Sequence, residues 1–86
     1  MKKLFVFPKH DDPYRDELAC ARDRVNAKAL AVEFENLSVE YLLRNSIDVV
    51  ISNALPKEWY YTLKGMNIVS VTLGSREEYY DYADII

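Results

Sequence analysis

Three short stretches of this chain carry residues able to do chemistry: His10-Asp11-Asp12, Ser52-Asn53 and Ser75-Arg76. His10 is the one histidine in the sequence. An imidazole followed by two carboxylates supplies ligands for a divalent metal, or a general base that works near neutral pH. Adjacent side chains point in different directions, however. Asp12 also suits a helix N-cap and Asp11 a turn, so the same trio reads as a solvated loop. Ser52 and Asn53 offer hydrogen bonds beside the free amides of a helix that follows, an arrangement that holds small anions. They serve equally to satisfy that helix start. Gly74-Ser75-Arg76 joins a glycine, amides and a cation in a third anion candidate, although Ser75 and Glu78 also form a capping box.

The elements that must position these residues are legible from periodicity. Residues 3–7 are rich in β-formers and stop at Pro8, which gives a first strand. Asp12-Pro13 reads as N-cap and first helical residue, with Asp16 and Glu17 where the helix dipole favours acids. Tyr14, Leu18, Ala21 and Val25 form a narrow apolar stripe on that helix. In residues 28–34, Leu30, Val32 and Phe34 alternate with Ala29, Ala31 and Glu33, as in a half-buried edge strand; a helix continuing past Ala31 is the alternative. Ser38 caps a second helix over 39–45, with Tyr41, Leu42 and Leu43 as inward candidates. Residues 48–51 make a central strand, and Pro56 opens a third helix whose Trp59, Leu63 and Met66 share a face, with Gly65 at its end. Residues 68–73 form a fourth strand, with Val69, Val71 and Leu73 as its buried side. A last helix starts at the capping box and continues through Tyr79, Tyr82 and Ala83.

This βαβ succession with right-handed crossovers predicts a small three-layer α/β fold, a Rossmann-like or flavodoxin-like fragment. Its sheet is four-stranded and mainly parallel, in the order 2-1-3-4, with about four helices. Helix one lies on one face and the others on the second, so one face is thinly covered and a homodimer is expected. Ligands of such sheets sit where the strand order reverses, here between strands one and three, and the loops at 8–13 and 52–56 line that crevice.

Composition narrows the function classes. Eighty-six residues make one domain. The net charge of −3 and a pI near 5.0 disfavour nucleic acid as a partner. Cys20 is the single cysteine, which rules out an internal disulfide or a zinc ribbon. The apolar run after Lys2-Lys3 is interrupted at Pro8, too short for a signal sequence, and no run is long enough to span a membrane, so a cytoplasmic location is expected. Glutamine is absent while tyrosine occurs seven times, a bias that fits a thermophilic source. Trp59-Tyr60-Tyr61 and Tyr79-Tyr80-Asp81-Tyr82 place aromatics on several sides of two helices. The Trp59 and Tyr79 faces are assigned to the core and the remainder to a partner surface. No dinucleotide fingerprint, Walker lysine, nucleophile elbow or zinc-protease motif is present, and neither crevice loop holds a glycine for close approach of a pyrophosphate.

The run Leu42-Leu43-Arg44-Asn45-Ser46-Ile47-Asp48-Val49-Val50-Ile51-Ser52-Asn53, with Leu63-Lys64-Gly65-Met66-Asn67-Ile68, resembles the C-terminal half of the dinitrogenase iron–molybdenum cofactor biosynthesis family. That family has a helix, a "DVVI" strand, a small turn, a helix, then a glycine and a final strand. The resemblance implies the same α/β fold over about 40 residues. The family's "HFGRAP"-like segment and its glycines are missing here, so cluster binding is not carried over and no cofactor is assigned. The chain is also similar to short archaeal α/β domains of unknown function. The expectation from sequence is a non-catalytic, homodimeric module that binds a small anion or a protein partner. The alternative is a metal-assisted hydrolase or phosphate-handling enzyme built on His10, Asp11 and Asp12.

Overall fold

A computed structural model describes residues 2–8, 11–13, 15–26, 29–53 and 55–73. The elements run β1 (Lys3–Phe7), α1 (Arg15–Asn26), β2 (Leu30–Glu33), a single 3-10 turn (Phe34–Asn36), α2 (Val39–Arg44), β3 (Val49–Ser52), α3 (Lys57–Gly65) and β4 (Val69–Thr72). The strands form one parallel sheet in the order β2-β1-β3-β4, as the sequence predicts. Three α-helices, rather than about four, lie among the described residues; the helix expected from Ser75 onward lies outside them. No described helix is long and apolar enough to cross a membrane.

Register decides what each face must bury. Leu4 stands between Leu30 and Val50, and Val6 between Val32 and Ser52. Side chains two apart share a face, so these residues face one way together with Ser70 and Thr72, their partners on β4. α2 and α3 cover that face: Leu42, Tyr60 and Leu63 join Leu4, Val6 and Val50 in one buried cluster. α1 packs against β1, and Leu18 is buried outside that cluster, as is Phe5 on the opposite face. Ile51, Val69 and Val71 share the Phe5 face and are only half-buried. The unequal covering expected of the two faces is therefore present among the described residues.

The burial pattern of β4 is the reverse of the expectation. Its valines are half-buried, whereas Ser70 and Thr72 are fully buried under the helices. A buried hydroxyl is tolerated when it is hydrogen-bonded, and Thr72 has its partner in Tyr60. The Tyr60 hydroxyl lies 3.0 Å from Thr72 Oγ1 and accepts a hydrogen bond from the Leu55 N–H at 3.2 Å. Tyr60 is 0% exposed, which also corrects the choice of Trp59 as the core aromatic of α3. Trp59 and Met66 pack at the edge of the cluster, and the residue at its centre is Tyr60.

Local signals explain the remaining boundaries. At the entry to α1 (Arg15–Asn26) the Asp12 carbonyl accepts from the Arg15 N–H at 3.2 Å. Leu18 is buried but Val25, one end of the expected stripe, is exposed. Leu30–Glu33 forms β2, so the alternative of one long helix past Ala31 is excluded. Arg22 bonds the Ala29 carbonyl through Nε and Nη2, at 3.0 and 2.6 Å, and fixes the approach to β2. Ser38 caps α2 as expected, its Oγ accepting from the Tyr41 N–H at 3.1 Å. Leu43, expected to point inward, is 67% exposed.

α2 and α3 end alike. Ser46 (φ 51°) and Asn67 (φ 58°) adopt the left-handed conformation, and the N–H of the next isoleucine returns to a leucine carbonyl: Ile47 to Leu42 at 3.1 Å, Ile68 to Leu63 at 2.9 Å. Each is a Schellman closure with a buried isoleucine–leucine pair. The chain reversal expected at Gly65 is made by Asn67, a residue that tolerates positive φ.

Removing the Tyr60 hydroxyl tests its role. Tyr60→Phe leaves Thr72 Oγ1 and the Leu55 N–H without that partner in a buried site, and is expected to destabilise by about 1–3 kcal/mol in urea unfolding. Adding Thr72→Val is expected to cost less than the sum of the two single changes, because both ends of one bond are then apolar. Strict additivity contradicts the assignment.

Candidate functional site

In this strand order the reversal falls between β1 and β3. Crossover to β2 leaves β1 in one direction and the path to β3 and β4 leaves in the other, so the loops after β1 and β3 part and open a crevice. A cavity of about 300 Å³ lies there, lined by Val6, Pro8, Asp11, Asp12, Pro13, Phe34 and Pro56. This is within the lower range of small-molecule pockets. Its described walls combine three prolines, a valine and a phenylalanine with two carboxylates.

Of the residues singled out from sequence, Asp11 and Asp12 line this cavity, and Ser52 and Asn53 are not among its described walls. Asp11 is exposed and Asp12 half-buried, and both line the crevice. Ser52 closes β3 beside Val6, and the chain continues through Asn53 to Pro56, which also lines the cavity. Ser52 and Asn53 are each 1% exposed. Among the described residues, Ser52 Oγ and both side-chain amide atoms of Asn53 have no hydrogen-bond partner. The reading of these two residues as simple helix caps fails, because neither side chain bonds the start of α3. His10, Ser75 and Arg76 lie outside the described residues. Cys20 is exposed on α1, away from the cavity lining. Among the described residues no three His, Cys, Asp or Glu side chains come together as a metal set.

Sequence reasoning missed what holds the crevice walls. Arg15, the first residue of α1, donates from Nη1 to the Pro8 carbonyl at 2.5 Å and makes a two-pronged pair with Glu33, at 2.8 Å from Nη1 and 2.5 Å from Nη2. Its guanidinium lies 5.1 Å from the centre of the Phe7 ring. Pro8 and Phe34, the residue after Glu33, are both crevice walls. One planar cation therefore ties the end of β1 to the end of β2, a task that suits the fixed fork of arginine and not the point charge of lysine. The hydrogen bond to Glu33 holds the Arg15 guanidinium in its protonated form, above its ordinary value, against the smaller opposing effect of burial. The signal for this pair was an arginine after Asp-Pro and a glutamate closing the β2 alternation, too common a pattern to single out. Phe34 was assigned to a strand; it belongs to the 3-10 turn and still packs against the core.

Comparison with protein-family models, curated proteins and solved structures gave no match. The likeness over residues 42–68 thus rests on those residues alone.

Arg15→Lys keeps the charge and loses the fork. It is expected to lower stability, since the pair is bidentate but partly exposed, and to speed amide exchange at Asp11 relative to the β3 amides. Unchanged exchange at Asp11 shows that the clamp does not hold the crevice.

Proposed function

We propose that this chain is a non-catalytic α/β module that binds a small molecule in the crevice between β1 and β3 and works as a homodimer. The observation that carries the first part is the pair Ser52-Asn53: fully buried polar side chains without a partner, beside a preformed cavity at the strand-order reversal. A buried polar group left unsatisfied costs about 1–3 kcal/mol, and folds retain such groups where a ligand completes them. The homodimer part rests on Ile51, Val69 and Val71, half-buried on the less covered sheet face.

A second reading, a metal-assisted or phosphate-handling enzyme, draws support from Asp11 and Asp12 both lining the cavity directly after His10 in sequence. The two readings separate on one double variant. His10→Ala with Asp11→Ala abolishes a metal-dependent activity, whereas a binding module keeps its stability within about 0.5 kcal/mol and its subunit number.

Native mass spectrometry of the protein as purified is expected to show a dimer, with or without a retained organic molecule. Loss of extra mass in the His10→Ala variant, corresponding to a metal or phosphate compound, sinks the binding-module reading. For the dimer, Val71→Lys places a charge on the proposed contact and is expected to give a folded monomer by sedimentation; a dimer that withstands it refutes this face as the interface.

A further inference from the structure

We propose that α1 and β2 form one movable unit, a lid beside the crevice that two arginine straps hold shut and that opens while the rest of the fold stays intact. Among the described residues from Arg15 to Glu33, Leu18 is the single buried side chain. The large buried cluster takes Leu4 and Val6 from β1, and its next member along the chain is Leu37, so it draws no fully buried residue from α1 or β2. Val32 packs only at its edge, and Val25 and Leu30 are exposed. β2 is an edge strand, paired with β1 alone among the described strands. The free energy of local opening rises with the apolar surface an element buries. A unit with one buried anchor therefore opens before the layer that holds Tyr60 and Leu63.

Polar bonds at both ends make the unit move as one. Arg15, at the start of α1, grips Glu33 at the end of β2 through two hydrogen bonds. Arg22 bonds the Ala29 carbonyl, just before β2, through two more. The position of the unit makes it a lid. Asp11, Asp12 and Pro13 lead into α1 and Phe34 follows β2, whereas Val6 and Pro56 stand on β1 and at the entry to α3. When the unit lifts, it carries one side of the crevice away from the other. The Arg15–Glu33 pair is partly exposed, so salt weakens that strap and favours opening. The role as a lid rests on the crevice being the binding site. A molecule that touches both sides holds the lid closed, and by the same coupling a closed lid raises its affinity.

The test is native-state amide exchange on the full chain without ligand, corrected for intrinsic rates. The α1 amides and the Leu37 N–H, which bonds the Phe34 carbonyl at 3.0 Å, are expected to share one opening constant. It should exceed that of the Ile68 N–H, bonded to the Leu63 carbonyl at 2.9 Å, by roughly tenfold or more. Raising the salt from about 0.01 M to about 1 M is expected to speed α1 and Leu37 but not Ile68; the absence of that response overturns the straps as the latch. Tyr60→Phe is the decisive variant, because the bond it removes stays made when the lid is open. It is expected to speed exchange at Ile68 and leave α1 and Leu37 unchanged. Acceleration of α1 in step with Ile68 means that α1 opens only with the whole fold, and overturns the proposal. Early exchange in α1 with Leu37 keeping pace with Ile68 means that the helix frays without moving the Phe34 wall, and overturns the lid. None of these readouts needs a ligand, so a rigid α1–β2 unit leaves the binding-site reading standing. A crevice that takes no molecule refutes that reading without touching the exchange pattern.

Discussion

The hydroxyl of Tyr60 holds this small fold in register. It reaches from α3 to Thr72 on β4, and it accepts from the Leu55 N–H in the β3–α3 connection. Three separate pieces of chain are fixed by one buried oxygen. With that bond in place β4 turns Ser70 and Thr72 toward the helices and its valines toward the other face. A slip of β4 by one residue would bury valines under α3, but would leave the Tyr60 hydroxyl without Thr72. The polar bond outweighs the apolar pattern because an unsatisfied buried hydroxyl costs as much as a buried methyl group or two contributes.

The crevice depends on this hub and on the Arg15 clamp. Tyr60 anchors Leu55, just before the Pro56 wall, while Arg15 ties the Pro8 wall to Glu33, just before the Phe34 wall. The walls are thus set by bonds made outside the cavity. Within that frame Ser52 and Asn53 stand out as buried polar groups that the fold leaves unsatisfied. Satisfaction everywhere else around them gives those three atoms their meaning: the same chain that supplies partners for Thr72, the Leu55 amide and the ends of α2 and α3 supplies none for Asn53.

Much of the fold was legible in the sequence because its signals are local. Pro8 ends β1, Ser38 caps α2, Pro56 precedes α3, and apolar runs of strand length give the parallel order. The loops at the strand-order reversal followed from topology, and with them Asp11, Asp12, Ser52 and Asn53. What escaped was set by contacts distant in sequence. Alternation in 69–73 identifies two faces but not which of them meets the helices; Thr72 needed Tyr60, twelve residues away, to be the buried one. Tyr60 in turn looked like one of three aromatics in a row, and only the direction of α3 over the sheet selects it over Trp59. The Arg15–Glu33 pair spans eighteen residues and has no sequence signature.

The most direct test of this account is a high-resolution crystal structure of the protein as purified, with attention to the density around Asn53. The account predicts a small organic molecule in the crevice that completes the hydrogen bonds of Ser52 Oγ or the Asn53 carboxamide. Ordered water alone completing the hydrogen bonds of Asn53 and Ser52, with the crevice filled by solvent, would contradict it.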